Sequence, residues 1–142
     1  MINAIIIDDE AHWIEELKLQ LDEYCPAVSV ACQCHSSKDG LEAIRKLKPD
    51  LVFLDIEMPG MNGFELLEQF TDIPFAVIFT TCYDRYAIKA IRFSALDYLL
   101  KPVDTKELIR AVKTVEEKQH VPLADQFKIL LSQVREKDFT KV

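Results

Sequence analysis

Four short apolar runs, each ending on a polar residue, constrain this chain more than any other feature of it. Ala4-Ile5-Ile6-Ile7 leads into Asp8-Asp9-Glu10, and Leu51-Val52-Phe53-Leu54 leads into Asp55. Phe75-Ala76-Val77-Ile78-Phe79 leads into Thr80-Thr81, and Tyr98-Leu99-Leu100 leads into Lys101-Pro102. The second and third of these runs are apolar throughout rather than alternating. Strands covered on both faces read this way, which favours a parallel sheet between helix layers. Parallel strands share one C-terminal edge, and in open α/β sheets that edge carries the ligand crevice. Carboxylates, a hydroxyl and an ammonium from distant parts of the chain are therefore expected to meet at one point.

Helix-periodic segments alternate with the strand-like runs five times. The first has Ile14, Leu17, Leu21 and Tyr24 on one side and is halted by Pro26. The second carries Leu41, Ile44 and Leu47 and stops before Pro49. The third, with Phe64, Leu67 and Phe70, comes after the turn-rich Pro59-Gly60-Met61-Asn62-Gly63 and ends before Pro74. The fourth is short and groups Tyr86, Ala87, Ala90 and Ile91, and the fifth begins after a cap at Asp104 or Thr105 and carries Leu108, Ile109, Val112 and Val115. A remaining strand has Val28, Val30, Cys32 and Cys34 alternating with Ser29, Ala31 and Gln33, which reads as one buried face. Right-handed crossovers then predict an α/β domain of three layers around a doubly wound, five-stranded parallel sheet. A strand order of 2-1-3-4-5 places the switch point between the strands ending in Asp8-Asp9 and Asp55.

The pattern changes near Gln119. His120-Val121-Pro122 breaks the fifth helix, and Leu123, Phe127, Leu130, Leu131 and Val134 form the stripe of an amphipathic helix of about three turns. The expected organisation is one domain over residues 1–118 and a linker over residues 119–142. The last helix either packs back on the domain or leads onward as a linker or dimerisation helix, because one this short needs a packing partner.

Composition narrows the function. No apolar stretch is long enough to cross a bilayer, and the N-terminus lacks a basic segment followed by a cleavable apolar one, so the expected location is the cytoplasm. The net charge of −7 disfavours nucleic-acid binding by this chain itself, since such binding draws on Lys and Arg neutralising phosphates. Cys32-Gln33-Cys34-His35 has ligand types suited to a soft metal, yet no second ligand pair has zinc-finger spacing. The alternation instead makes these cysteines small buried hydrophobes.

Asp8, Asp9 and Asp55 at one crevice would repel one another. Two unit charges about 4 Å apart cost about 4 kcal/mol at an effective dielectric of about 20. Such a site must protonate one group or bind a cation. All-oxygen ligands select a hard ion, and Mg²⁺ fits because it takes one or two carboxylates together with a phosphate oxygen. One carboxylate can then attack phosphorus to give an aspartyl phosphate, with Lys101 neutralising charge and a Thr hydroxyl donating to a phosphate oxygen. Taken singly, each residue also has a plain role. Asp8-Asp9-Glu10 could cap a helix, Asp55 could belong to a turn, Thr81 could cap the helix after it, and Lys101-Pro102 could close a strand.

Taken together, Asp8-Asp9, the stretch Asp55-Ile56-Glu57-Met58-Pro59-Gly60-Met61-Asn62-Gly63, Thr81 and Lys101-Pro102 resemble the receiver domain of bacterial two-component response regulators. The resemblance covers residues 1–118 and implies a flavodoxin-like, CheY-like fold. It implies Asp55 as phosphoacceptor, Asp9 as direct Mg²⁺ ligand, Asp8 holding the metal through water, and the Glu57 backbone carbonyl completing the protein's share of the shell. Thr81 and Tyr98 match the family's switch pair and Lys101 its phosphate-binding lysine, with a cis peptide at Lys101-Pro102. The stretches from Phe79 to Ala90 and from Ala95 to Asp104 are similar to LytR/AlgR regulators, which join the receiver to a C-terminal LytTR-type DNA-binding domain. No such domain lies in this chain, so it reads as a truncated regulator or a freestanding receiver, with DNA contact only through the absent domain. Cys82 departs from the Ala usual after the switch Thr and leaves a thiol near the site.

The resemblance further implies a sensor histidine kinase as partner, no membrane association, and a switch rather than an enzyme acting on metabolites. Homodimerisation on phosphorylation is expected through the fourth helix, fifth strand and fifth helix, around Ile88, Ile91, Arg92, Phe93 and Lys106. Two rival readings fit the residues less well. A small Mg²⁺-dependent phosphatase with an Asp nucleophile carries a second Asp two residues on, where this chain has Glu57. A flavin or nucleotide module needs a Gly-rich phosphate loop, and this chain has three glycines in all.

Overall fold

The computed structural model describes residues 1–83 and 97–118. In chain order its elements are β1 (Ile2–Ile7), α1 (Ala11–Tyr24), β2 (Val28–Cys34), α2 (Ser37–Leu47), β3 (Leu51–Asp55), α3 (Gly63–Glu68), β4 (Ala76–Thr81), β5 (Asp97–Leu100) and α4 (Thr105–Lys118). The strands form one parallel sheet in the order β2-β1-β3-β4-β5. The fold is the doubly wound, five-stranded parallel one expected from the apolar runs. The fourth helix-periodic segment, the dimer surface around Ile88 to Phe93 and the amphipathic helix of residues 123–134 lie outside the described residues.

Two apolar clusters cover the two faces of the sheet. Ile2, Ala4 and Ile6 of β1 and Phe53 of β3 pack with Ile14, Leu17 and Leu21 of α1 and Leu108, Val112 and Val115 of α4. Ile5, Ile7, Val52 and Leu54 point the other way, to Ile44 of α2 and Phe64, Leu66 and Leu67 of α3. Every residue of β3 is buried, as a strand covered on both faces requires.

The ladder aligns the strand ends. Ile7 pairs with both Cys34 and Leu54, Leu54 pairs with Phe79, and Phe79 pairs with Tyr98. Asp8 and Asp55 therefore leave their strands at the same level, with Thr80 opposite Asp55.

The expectation for β2 needs correction. Its register to β1 shifts between Ala4 and Ile5, whose partners are Val30 and Cys32, so Ala31 is an extra residue in the strand. Such a bulge exchanges the faces of the strand residues beyond it. Val28 and Val30 pack on the α1 side, whereas Cys32 and Cys34 pack on the α2 side. The expected helix faces were also too wide. Tyr24, Leu47 and Ile109 are exposed. They sit at the margins of their stripes, and the stripe centres are buried. Asp104 rather than Thr105 caps α4, its carboxylate accepting from the Glu107 N–H at 3.1 Å.

Candidate functional site

The loop after β1 turns sharply into α1. The Asp8 N–H donates to the Cys34 carbonyl at 3.0 Å, extending the ladder by one step, and the Asp8 carboxylate accepts from the Glu10 N–H at 3.0 Å. Glu10 occupies the N-cap position of α1 with no side-chain capping bond. The acidic pair therefore faces the crevice and does not act as an ordinary helix cap.

Asp55 closes β3 with its carboxylate buried. The backbone after it is folded tightly, because the Ile56 N–H donates to the Thr80 carbonyl and the Gly63 N–H to the Ile56 carbonyl. A Cβ on Gly63 would lie 2.6 Å from the Asp55 carbonyl oxygen and 3.2 Å from the Ile56 Cα. Only glycine lets α3 begin this close to the end of β3. Asn62 and Glu65 cap that helix reciprocally, and the Ser37 hydroxyl donates to the Met61 carbonyl.

One ligand atom from each of Asp8, Asp9 and Asp55 lies within 4.8 Å of the others. The Lys101 ammonium reaches the same point from the end of β5, 2.6 Å from Asp8 Oδ2 and 3.2 Å from Asp55 Oδ1. Both ion pairs are buried, Asp8 being 3% and Asp55 4% exposed, while Asp9 is exposed. The Lys101–Pro102 peptide is cis, and the Lys101 N–H donates to the Thr81 carbonyl at 2.8 Å.

Burial, and next the charge of Asp8, push the Asp55 carboxyl up to about 7 against the pull of Lys101. Burial works against the charged form of Lys101, but its hydrogen bond to Asp8 and the charge of Asp55 outweigh this and raise its pKa. One ammonium thus faces three carboxyl groups. All-oxygen donors at this spacing, in negative excess, suit a hard divalent cation, which would relieve the pressure on Asp55 to hold a proton.

The switch pair expected from the resemblance is linked in space. The buried Thr81 hydroxyl oxygen accepts from the Tyr83 N–H at 3.2 Å, and the Tyr98 hydroxyl donates to the Tyr83 carbonyl. The Glu57 side chain is exposed, and Cys82 is an exposed free thiol.

Comparison with known proteins accords with this arrangement. The sequence matches the response regulator receiver domain over residues 4–113. The chain belongs to the receiver domain family of response regulators. An uncharacterized response regulatory protein of Vibrio cholerae is 45% identical over 114 residues, which are 80% of this chain and 48% of that protein. The sensory transduction protein LytT of Bacillus anthracis is 36% identical over 135 residues, 88% of this chain and 54% of that protein. The chain spans about half the length of these curated relatives. Among solved structures, a receiver domain protein of Clostridium thermocellum superposes with a TM-score of 0.74 at 27% identity, covering 86% of this chain and all of the other. The receiver domain of AraT from Geobacillus stearothermophilus gives a TM-score of 0.72 at 30% identity, covering 83% of this chain and 95% of the other. Among the described residues, no helix is long and apolar enough to cross a membrane.

Two supports of the receiver site escape a reading of the sequence. The Lys101 ammonium lies 5.3 Å from the centroid of the Trp13 ring, within cation–π range. The Gln20 side-chain amide donates to the Val103 carbonyl at 2.9 Å and the Thr105 hydroxyl at 3.2 Å, tying α1 to the segment after Lys101-Pro102. Both lie on α1, 83 or more residues before their partners, and only their helical positions hint that they face the crevice.

Proposed function

We propose that this chain is a phosphorylatable switch in which Asp55 takes a phosphoryl group from a sensor histidine kinase. The buried convergence of Asp8, Asp9, Asp55 and the Lys101 ammonium carries this reading. An Asp55 carboxylate oxygen attacks phosphorus in line; the new O–P bond forms as the N–P bond of a phosphohistidine breaks, and the leaving imidazole takes up a proton. Lys101 already bridges Asp8 and Asp55, so it can follow negative charge onto the phosphoryl oxygens with little movement. Asp9 directly, Asp8 through water, Asp55 and the Glu57 backbone carbonyl would hold Mg²⁺. The ion supplies charge neutralisation for the donor's phosphoryl oxygens when bound.

The link from Thr81 through Tyr83 to Tyr98 supports a switching role. A Thr81 hydroxyl that turns to donate to a phosphoryl oxygen gives up the Tyr83 N–H. This loosens the carbonyl that holds the Tyr98 hydroxyl. The half-buried Tyr98 ring can then move inward against the cluster it already borders. The output we infer is control of a LytTR-type DNA-binding domain beyond residues 119–142, with dimerisation through the fourth helix-periodic segment of the sequence, β5 and α4. The match covers 54% of the LytT relative, which leaves room for a second region in that protein.

The test is incubation with acetyl phosphate and Mg²⁺, read by intact mass. One hydroxylamine-labile phosphoryl group per chain is expected, lost in Asp55→Asn. Undiminished labelling of that variant would mean that the nucleophile is another residue, and steady turnover of a generic phosphate ester would favour a phosphatase.

A further inference from the structure

Gln20 is satisfied at only one end of its amide. The nitrogen donates to the Val103 carbonyl at 2.9 Å and to the Thr105 hydroxyl at 3.2 Å. A carbonyl can only accept, so the Val103 contact fixes which way the amide lies. The Gln20 Oε1 atom is then buried with no hydrogen-bond partner among the described residues. A buried acceptor without a donor is costly, and nearly all such atoms in folded proteins are met by protein or by ordered water.

A small cavity lies beside this amide. Asp8, Trp13, Gln20, Thr80, Lys101 and Val103 are among the residues lining it, and its volume is about 10 Å³. That is about the room one water requires and too little for any larger ligand. Thr80 brings a second polar group to the lining. It follows Ile78 by two residues in β4, so it points to the same side of the sheet, toward α1 and α4. Thr80 is buried, and its hydroxyl makes no hydrogen bond among the described residues. The Lys101 ammonium gives one proton each to Asp8 and Asp55, and a third remains.

We propose that one buried water is bound in this cavity, accepting from the Thr80 hydroxyl and the Lys101 ammonium and donating to Gln20 Oε1, and that Thr80 and Gln20 thereby act as positioning residues for Lys101. A buried water needs two to four polar partners, and this lining supplies them. Two donors meet its lone pairs, Oε1 takes one of its protons, and the Asp8 carboxylate in the same lining is an acceptor for the other.

The role in positioning rests on the reading of Lys101 as the group that answers charge on a phosphoryl group. Its two ion pairs are unequal, 2.6 Å to Asp8 and 3.2 Å to Asp55. Thr80 stands opposite Asp55 in the ladder. A third contact anchored there counters the pull of Asp8 and keeps the ammonium within reach of the phosphoacceptor.

Thr80→Val tests this, because valine keeps the shape of threonine and removes the hydroxyl, whereas Thr80→Ser retains it. A crystal structure of the 142-residue chain, at a resolution that shows ordered water, should place a water within hydrogen-bond reach of both Gln20 Oε1 and Thr80 Oγ1. The water should persist in Thr80→Ser and be lost in Thr80→Val. With acetyl phosphate and Mg²⁺, Thr80→Val should label about two- to tenfold more slowly, the loss of one hydrogen bond, while its urea unfolding stays unchanged and Thr80→Ser labels at the unmodified rate. A purely structural role for Thr80 would move the unfolding and not the rate. Failure of the unmodified chain to label would count against Asp55 as phosphoacceptor, and the water would still be decided by its density, which needs no variant to fold. No water between Gln20 and Thr80, or a Thr80→Val chain that labels as fast as a labelled unmodified one, would overturn the proposal.

Discussion

Asp55 sits where its negative charge is costly, and that cost can be measured. Its folded pKa of about 7 lies above the ordinary 3.8, mainly through burial and then through Asp8. The folded chain therefore holds this proton more tightly than the unfolded chain does. Stability from this group is complete below about pH 4 and is lost as the pH rises toward 7, a difference of about 4 kcal/mol. Asparagine keeps the shape and carries no charge. In metal-free solution, urea unfolding should find Asp55→Asn gaining on the unmodified chain by a few kcal/mol between pH 4 and 7, and levelling off above that. A difference that stays flat across this range would contradict a charged, buried setting for Asp55. A second residue-scale expectation concerns Asp9, whose exposed carboxylate completes the acidic trio. Trp13 lies against Lys101 and should report Mg²⁺ binding through its fluorescence. Asp9→Ala should shift that titration to Mg²⁺ concentrations about tenfold higher or more, and an unmoved midpoint would remove Asp9 from the ligand set.

At the scale of elements, Gly63 and Gly40 separate two kinds of close packing. A methyl group on Gly63 meets backbone atoms of Asp55 and Ile56, whereas the three atoms nearest one on Gly40 all belong to the Ile7 side chain, with Cδ1 nearest at 2.6 Å. A side chain can give way more readily than a strand end, and alanine also favours the α2 helix. Gly63→Ala should cost about 2–3 kcal/mol in urea unfolding and slow labelling by acetyl phosphate, because the displaced atoms carry Asp55. Gly40→Ala should cost less and leave labelling unchanged; the reverse order would mean that the α3 entry is not rigidly packed. The same contrast explains what could be read from the sequence. β1, β3 and β4 were legible because burial on both faces leaves an unbroken apolar run, and their polar ends marked the crevice. The bulge in β2 was not legible, because an extra residue shows only when the strand is paired with β1. Alternation alone placed Val30 and Cys32 on one face. Periodicity located the centres of the helix stripes but not their margins, where Tyr24, Leu47 and Ile109 meet solvent. The partnership of Trp13 with Lys101 joins residues 88 apart, and no local pattern records it.

For the whole molecule, the core of the described residues bears on how short a folded fragment can be. The two apolar clusters draw on residues from Ile2 to Val115, and among the described residues the last buried side chain is Val115 on α4. The acidic trio, Lys101 and the Thr81–Tyr83–Tyr98 link all lie within that span. A domain that buries its apolar surface within one stretch of chain can fold from that stretch alone. A fragment of residues 1–118 should therefore unfold in one cooperative urea transition. It should take up phosphoryl from acetyl phosphate at the rate of the 142-residue chain. The comparison separates folding from signalling. Equal labelling with a changed association state on gel filtration would assign residues 119–142 to assembly or output. A fragment that aggregates or fails to label would instead make that segment part of the folded domain, packed against the sheet. The first outcome is the one expected of a core that, among the described residues, packs α1 and α4 on one face and α2 and α3 on the other.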